Sequence, residues 1–127
     1  MLIAEYFVSV EQALGRNRHI TSLKLLISQA SDDYNGLLRV RAHFWDDSYL
    51  DIYKVAATAL GYPIRVHYAY AYVSGDRHIF RYDNAPHHPE LFTHPHHKHV
   101  GTDERAVPSE QPSPSQVLAE ITDILTR

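Results

Sequence analysis

The stretch IRVHYAYAYVSGDRHIFRYD, residues 64–83, decides the fold. Tyrosines stand at every second position from Tyr68 to Tyr72, and such alternation predicts a strand with one buried face. The sequence Ser-Gly-Asp at 74–76 indicates a turn, after which the chain continues as a second strand over 77–83. Two strands with so short a connection pair in antiparallel fashion.

Three further strands are predicted before this hairpin. They cover His19–Ser28, Leu38–Phe44 and Tyr49–Ala57, and the turn-rich runs 32–36, 46–48 and 61–63 separate them from each other and from the hairpin. Leu23, Leu25 and Ile27 are expected on one face of the first strand. The run Ala56–Leu60 also fits a short helix. Connections this short favour a five-stranded antiparallel meander over 19–83.

A helix is predicted at each end of the chain. Residues 2–14 carry one apolar stripe and are followed by Gly15, and residues 115–126 carry a second stripe. Burying both stripes on one face of the sheet gives an α+β fold and leaves the other face open, with Arg39 and Arg41 on it. The length of 127 residues suits a single domain over 1–127.

Composition excludes several classes of function. The chain has no cysteine, so disulfides, thiolate nucleophiles and the usual zinc-finger ligand sets are excluded. No apolar run approaches the roughly 20 residues of a membrane span, so a cytoplasmic location without membrane association is expected. Glycine-rich phosphate loops, the G-x-S-x-G elbow and H-E-x-x-H are also missing, which disfavours nucleotide-driven and serine-hydrolase functions.

Charge is distributed unevenly. The net charge is -3, but residues 1–100 hold ten basic and ten acidic side chains, whereas 101–127 hold two and five. Nucleic-acid binding therefore requires a local basic surface. The candidates for such a surface are four arginines at polar strand positions and one lysine in the segment after the strands. They are Arg39, Arg41, Arg65, Arg81 and Lys98. For most single positions, a solvated surface is the simpler interpretation.

The segment FRYDNAPHHPELFTHPHHKH, residues 80–99, is the most unusual part of the chain. Six of the ten histidines lie between His87 and His99. The prediction assigns 84–114 to a long His/Pro-rich loop, and loops this long inside a compact domain are usually functional or linkers. Prolines stiffen it. If the segment is extended, the side chains of His94 and His96 point to the same side, and so do those of His97 and His99. The side chains of the adjacent His87 and His88 then point in opposite directions.

Two kinds of chemistry fit this segment. Imidazoles are good ligands for a divalent transition metal, and the candidates are His94, His96, His97 and His99, with Asp83 or Glu90 as a further ligand or orienting group. The metal-free alternative uses imidazoles as general acid and base, with Arg81 and Lys98 stabilising charge on a phosphate being cleaved. Its catalytic candidates are His87, His88, His97, His99 and Asp83. Spacing alone leaves both open, together with a purely structural loop.

The blocks Phe80–His88 and Pro95–His99 resemble the signature of the TumE toxin family, small prokaryotic proteins paired with a helix-turn-helix antitoxin called TumA. The resemblance covers most of the chain from about residue 37, including Tyr68–Tyr72. It implies a growth-inhibiting toxin and leaves the mechanism open. The first hypothesis is action on nucleic acid, RNA more than DNA, through the His-rich site, and the alternative is a non-enzymatic binding module that acts through the polar sheet face. A TumA-like antitoxin is the expected partner, and homo-oligomers are compatible with it.

Two positions depart from the family pattern. Relatives commonly have glycine where this chain has Asp47, and an acidic residue where it has Lys54. If that acid is catalytic in relatives, Lys54 makes this copy inactive.

Overall fold

A computed structural model of the chain describes residues 1–103 and 105–127. One antiparallel sheet of seven strands follows the order of the chain, with one helix before it and one after it. The elements are α1 Ile3–Gly15, β1 Ile20–Ala30, β2 Asn35–Phe44, β3 Tyr49–Ala57, β4 Ile64–Ser74, β5 Arg77–Asp83, β6 His97–Val100, β7 Arg105–Pro108 and α2 Pro114–Leu125. The predicted α+β meander with terminal helices is therefore confirmed.

Both helices pack on the same face of the sheet. Residues directly opposite one another on paired strands share a face, and Val40 of β2 lies opposite Ile52 of β3. These side chains form the core with Phe7 of α1 and Ile121 of α2, all almost fully buried. The face that carries the neighbouring residues has no helix over it, as predicted from the two apolar stripes. We call these the helix face and the open face.

The start of α2 is fixed by its own sequence. The Ser113 hydroxyl accepts a hydrogen bond from the Gln116 amide, and the Gln116 side chain accepts one from the Ser113 amide. Pro114 follows at the first helical position, where its missing N–H costs nothing. In the part of the chain that the structure describes, no helix is both long and apolar enough to cross a membrane.

The sheet has two more strands than the five that were predicted. β6 and β7 lie inside 84–114, which the sequence assigned to a loop. β6 pairs with β5 and β7 pairs with β6, so β5 is an inner strand. Each added strand has only four residues, too few for alternation to reveal. Pairing with the edge of β5 stabilises β6, and β6 in turn offers its edge to β7.

Irregularities in the strands move two predicted side chains to the other face. His67 of β4 pairs with Val55, but Arg65 pairs with Ala56, so Val66 is an extra residue in the strand. Such a bulge reverses the alternation beyond it. The prediction that Arg65 lies on the polar face with Arg39 and Arg41 was therefore wrong. A similar shift in β1 puts Ile27 opposite Arg39 on the open face, away from Leu25.

Candidate functional site

A cluster of three histidines and one aspartate lies on the open face where β5 meets β6. Asp83 of β5 pairs with His97 of β6, and Arg81 pairs with His99, so all four side chains project from the same face. His88, from the connection between these strands, completes the group. The potential ligand atoms of His88, His97 and His99 all lie within 4.8 Å of one another. We call His88, His97, His99 and Asp83 the histidine cluster.

His97 is held at the centre of the cluster. Its side chain is only 2% exposed, and its Nδ1 lies 2.9 Å from the backbone oxygen of Pro95. A carbonyl oxygen only accepts, so Nδ1 is the donor. Its Nε2 points the other way, 3.1 Å from Nε2 of His99 and 2.9 Å from Oδ1 of Asp83. Nε2 of His97 therefore faces both the ring nitrogen of His99 and the carboxylate of Asp83. Because all three groups carry lone pairs, a proton or a cation must lie between them.

Asp83 connects the cluster to a cation and to the backbone. Arg81 Nε donates to its Oδ2 at 2.9 Å, and the amide of Ala85 donates to its Oδ1 at 3.0 Å. His99 Nε2 lies 3.7 Å from Oδ2. These contacts fix the carboxylate of Asp83 although it is buried.

His88 is positioned by the folded connection between β5 and β6. Backbone hydrogen bonds from His87 to Ala85 and from Leu91 to His88 close turns on either side of it. Its Nδ1 lies 3.1 Å from a carboxylate oxygen of Glu90, and its ring centroid lies 4.9 Å from that of His97. A histidine oriented in this way through Nδ1 directs Nε2 toward a ligand.

A shallow hollow of about 390 Å³ lies beside the cluster on the open face. Arg81 and Asp83 form one side of it, and Tyr53 and His67 belong to its lining. The Tyr53 ring is 37% exposed, so it offers a surface on which a nucleic-acid base can stack. Asn84 lies at the rim, fixed by its bonds to the backbone of β4.

The predicted phosphate-binding residues divide between the two faces. Arg39, Arg41 and Arg81 lie on the open face with the cluster, and Arg41 makes a two-point ion pair with Asp51 at 2.7 and 2.9 Å. Arg65 and Lys98 lie on the helix face. Lys98 is paired there with Glu120 of α2 at 2.7 Å. The structure therefore brings together only three of these five cations.

The remaining predicted histidines lie outside the cluster. His87 and His94 are exposed. His96 stacks on the ring of Tyr68, and its Nδ1 lies 2.9 Å from the tyrosine hydroxyl. Burial, with a smaller contribution from the Arg65 guanidinium, lowers the pKa of His96. Of the predicted metal set, His97 and His99 come together and His94 and His96 do not join them.

Lys54 lies on the opposite side of the sheet from the histidines. It is 1% exposed on the helix face, where its Nζ donates to the Tyr6 hydroxyl at 3.2 Å. Burial, assisted by the Arg65 guanidinium, lowers its pKa from 10.5 to about 7. A lysine at this position therefore leaves the histidine cluster intact.

Four of the five predicted catalytic residues, His88, His97, His99 and Asp83, come together in the cluster, and His87 does not. The predicted metal set did not include His88. A folded connection brings it to His97 and His99, and spacing carries no signal of that closure. Tyr53 also lies beside the cluster, because only β4 separates β3 from β5.

Comparison with known proteins gives one match. A protein-family model described as Toxin TumE matches residues 10–127, nearly the whole chain. No curated protein and no solved structure matches it.

Proposed function

Because the chain belongs to the TumE toxin family, and is thus the toxin of a toxin-antitoxin pair, we propose that it inhibits growth by cleaving RNA at the histidine cluster. The observation that carries this proposal is the convergence of His88, His97 and His99 beside an open hollow, with Asp83 in contact with His97 and His99. Groups that can activate a nucleophile and stabilise anionic charge lie together, on a face accessible to a large substrate.

The surroundings of the cluster favour a nucleic acid over a smaller substrate. Arg81 is anchored by Asp83 and still has about 40% of its side chain exposed, so it can bind a phosphate while it stays in position. Tyr53 offers its ring for base stacking, and Arg39 extends the cationic surface along β2. RNA is favoured over duplex DNA because stacking on an exposed ring requires an unpaired base.

We further propose that the three imidazoles hold a divalent transition metal ion. Ligands of a tetrahedral ion with bonds of about 2.1 Å lie about 3.4 Å apart, and Nε2 of His97 and Nε2 of His99 are 3.1 Å apart. Asp83 Oδ1, at 2.9 Å from His97, stands where a neighbouring ligand belongs. The contacts of Nδ1 of His97 and His88 with oxygens are those that orient metal-binding histidines.

The ion would supply Lewis-acid chemistry, and the side chains have distinct roles around it. His88, His97 and His99 would hold it, and Asp83 would lie beside it through its contact with His97. Arg81 holds the phosphate, and the two-point contact of Asp51 fixes Arg41 on the same face. Titration of the purified protein with Mn²⁺, Ni²⁺ or Zn²⁺ should show one site, weakened at least tenfold by His88→Gln. Equal binding by the variant would remove the metal from this proposal.

The toxicity assay uses two histidines with different positions. Induced in a host without antitoxin, the wild type and His94→Gln should arrest growth and fragment cellular RNA, because His94 is exposed and outside the cluster. His99→Gln should do neither, with a melting temperature near that of the wild type. If His99→Gln remains toxic, the cluster is not the site. If growth stops while RNA stays intact, the alternative of a non-enzymatic binding module replaces RNA cleavage.

An antitoxin partner follows from the family, and we propose that it is a helix-turn-helix protein of the TumA type that covers the open face. Protection of Tyr53 and Arg39 from labelling in the complex would support this arrangement. Labelling unchanged in a stable complex would contradict it. A cytoplasmic location and any homo-oligomer remain predictions.

A further inference from the structure

A second cavity lies on the helix face, across the sheet from the histidine cluster. It has a volume of about 430 Å³ and is formed between α1, α2 and the adjoining parts of β3 and β4. Its walls are largely apolar, with Val10 and Leu14 from α1, Ile52 from β3 and Leu118 from α2. The size falls in the range of about 300 to 1,000 Å³ that is usual for small-molecule sites.

Two cationic side chains line this apolar cavity. Lys54 and Arg65 both belong to its lining. The Lys54 ammonium has one hydrogen-bond acceptor among the described residues, the Tyr6 hydroxyl, and it lies 5.5 and 5.7 Å from the ring centres of Tyr6 and Tyr70. An ammonium has three donors, so this buried group is incompletely satisfied.

Neutral acceptors surround Arg65. Its Nη1 donates to the Tyr70 hydroxyl at 2.8 Å and to the carbonyl of Pro112 at 2.7 Å. In the amide orientation that satisfies both groups, the Gln111 oxygen accepts from Nε and Nη2. These contacts hold the guanidinium in place without neutralising it, and the described ion pairs include no carboxylate for Arg65 or Lys54.

The N-terminal end of α2 adds to the positive potential. Pro114 and Ser115, the first residues of this twelve-residue helix, line the cavity. Pro114 has no N–H and the Gln116 amide is capped by Ser113, so the helix dipole and the Ser115 amide are what favour a negative charge at that end. Lys54, Arg65 and this end of α2 are therefore three independent sources of positive potential around the cavity. Among the described residues that line it, none is acidic.

We propose that this interhelical cavity binds a small organic anion, a carboxylate or a phosphate monoester, with its charged group on Lys54 and its apolar part against α1 and α2. The lowered pKa of Lys54 agrees with this, because a bound anion restores the charge that burial disfavours. The inference is independent of RNA cleavage, since Lys54 and the histidine cluster lie on opposite faces.

Benzoate and phenyl phosphate are suitable probes, and benzamide is the neutral counterpart of benzoate. Amide resonances of residues lining the cavity, such as Ser9 and Leu118, should shift with at least one of the two anions and not with benzamide. Whichever anion binds identifies the headgroup. Binding by neither anion would overturn the proposal, as would equal binding by benzamide.

A matched pair of variants tests the role of the buried lysine. Lys54→Met should weaken binding of the anion at least tenfold, because it removes the ammonium and keeps a side chain of similar length. Lys24→Met removes the same charge from an exposed position on β1 and should bind like the wild type. If Lys54→Met binds the anion as tightly as Lys24→Met does, the cavity is not an anion site. Both variants should remain toxic, so the result is separate from that for RNA cleavage.

Discussion

Replacing Lys54 by methionine should stabilise the protein in a way that depends on pH. Lys54 is 1% exposed, and its pKa is lowered from 10.5 to about 7 in the folded state. At 1.36 kcal/mol for each pH unit of difference, the charged form is disfavoured in the fold by about 5 kcal/mol. Methionine fills similar space without a charge, so it removes this cost.

The sign of the pH effect follows from proton binding. Between pH 7 and 10.5 the unfolded chain holds more protons on Lys54 than the folded chain does, so wild-type stability rises with pH through this window. Lys54→Met lacks this rise. Its advantage over the wild type should therefore shrink by about 3.5 kcal/mol between pH 7 and pH 10, the value expected for pKa values of about 7 and 10.5.

Urea unfolding of both proteins at pH 7, 8, 9 and 10, in buffers without organic anions, measures this difference. Lys24→Met is the control, because it removes a lysine from an exposed strand position, and its stability difference from wild type should stay within about 0.5 kcal/mol throughout. A stability difference for Lys54→Met that is constant with pH would refute the reasoning. So would a large loss of stability at pH 7.

Three further predictions concern the fold. Asp47 has a φ of 69°, a conformation that glycine adopts with less strain. Asp47→Gly should therefore raise the free energy of unfolding by about 0.5 to 1 kcal/mol. A thermal melt should show a higher melting temperature, and a lower one would contradict this. Ser113→Ala removes the hydroxyl that accepts from the Gln116 amide and should cost about 1 kcal/mol in denaturant unfolding, whereas no loss would mean that the cap is dispensable. Ile121→Ala opens a cavity at a fully buried position and should cost about 2 to 5 kcal/mol, and a cost below 1 kcal/mol would mean that the core is looser than described.

The elements with strong local signals could be predicted from the sequence. β3 and β5 have the predicted bounds because turn residues mark their ends, and alternating tyrosines fix the buried face of β4. Both helices end within one residue of their predicted limits. The positive φ of Asp47 is a conformation that suits the glycine expected at this position from the resemblance.

The rest depends on contacts between distant residues. β6 and β7 are too short to alternate visibly and exist because β5 offers an edge. A single extra residue, Val66, turns Arg65 from the open face to the helix face. The spacing of the histidines correctly brings His97 and His99 together, but only the folded connection adds His88.

Cleavage of a single-stranded RNA by the purified protein, with and without a chelator, tests the central claim most directly. The wild type and His94→Gln, each loaded with a divalent transition metal, should cut the RNA and should stop when the metal is removed. His99→Gln should leave the RNA whole under all conditions. RNA cut equally well by His99→Gln, or left intact by a correctly folded and metal-loaded wild type, would contradict the assignment of RNA cleavage to His88, His97, His99 and Asp83.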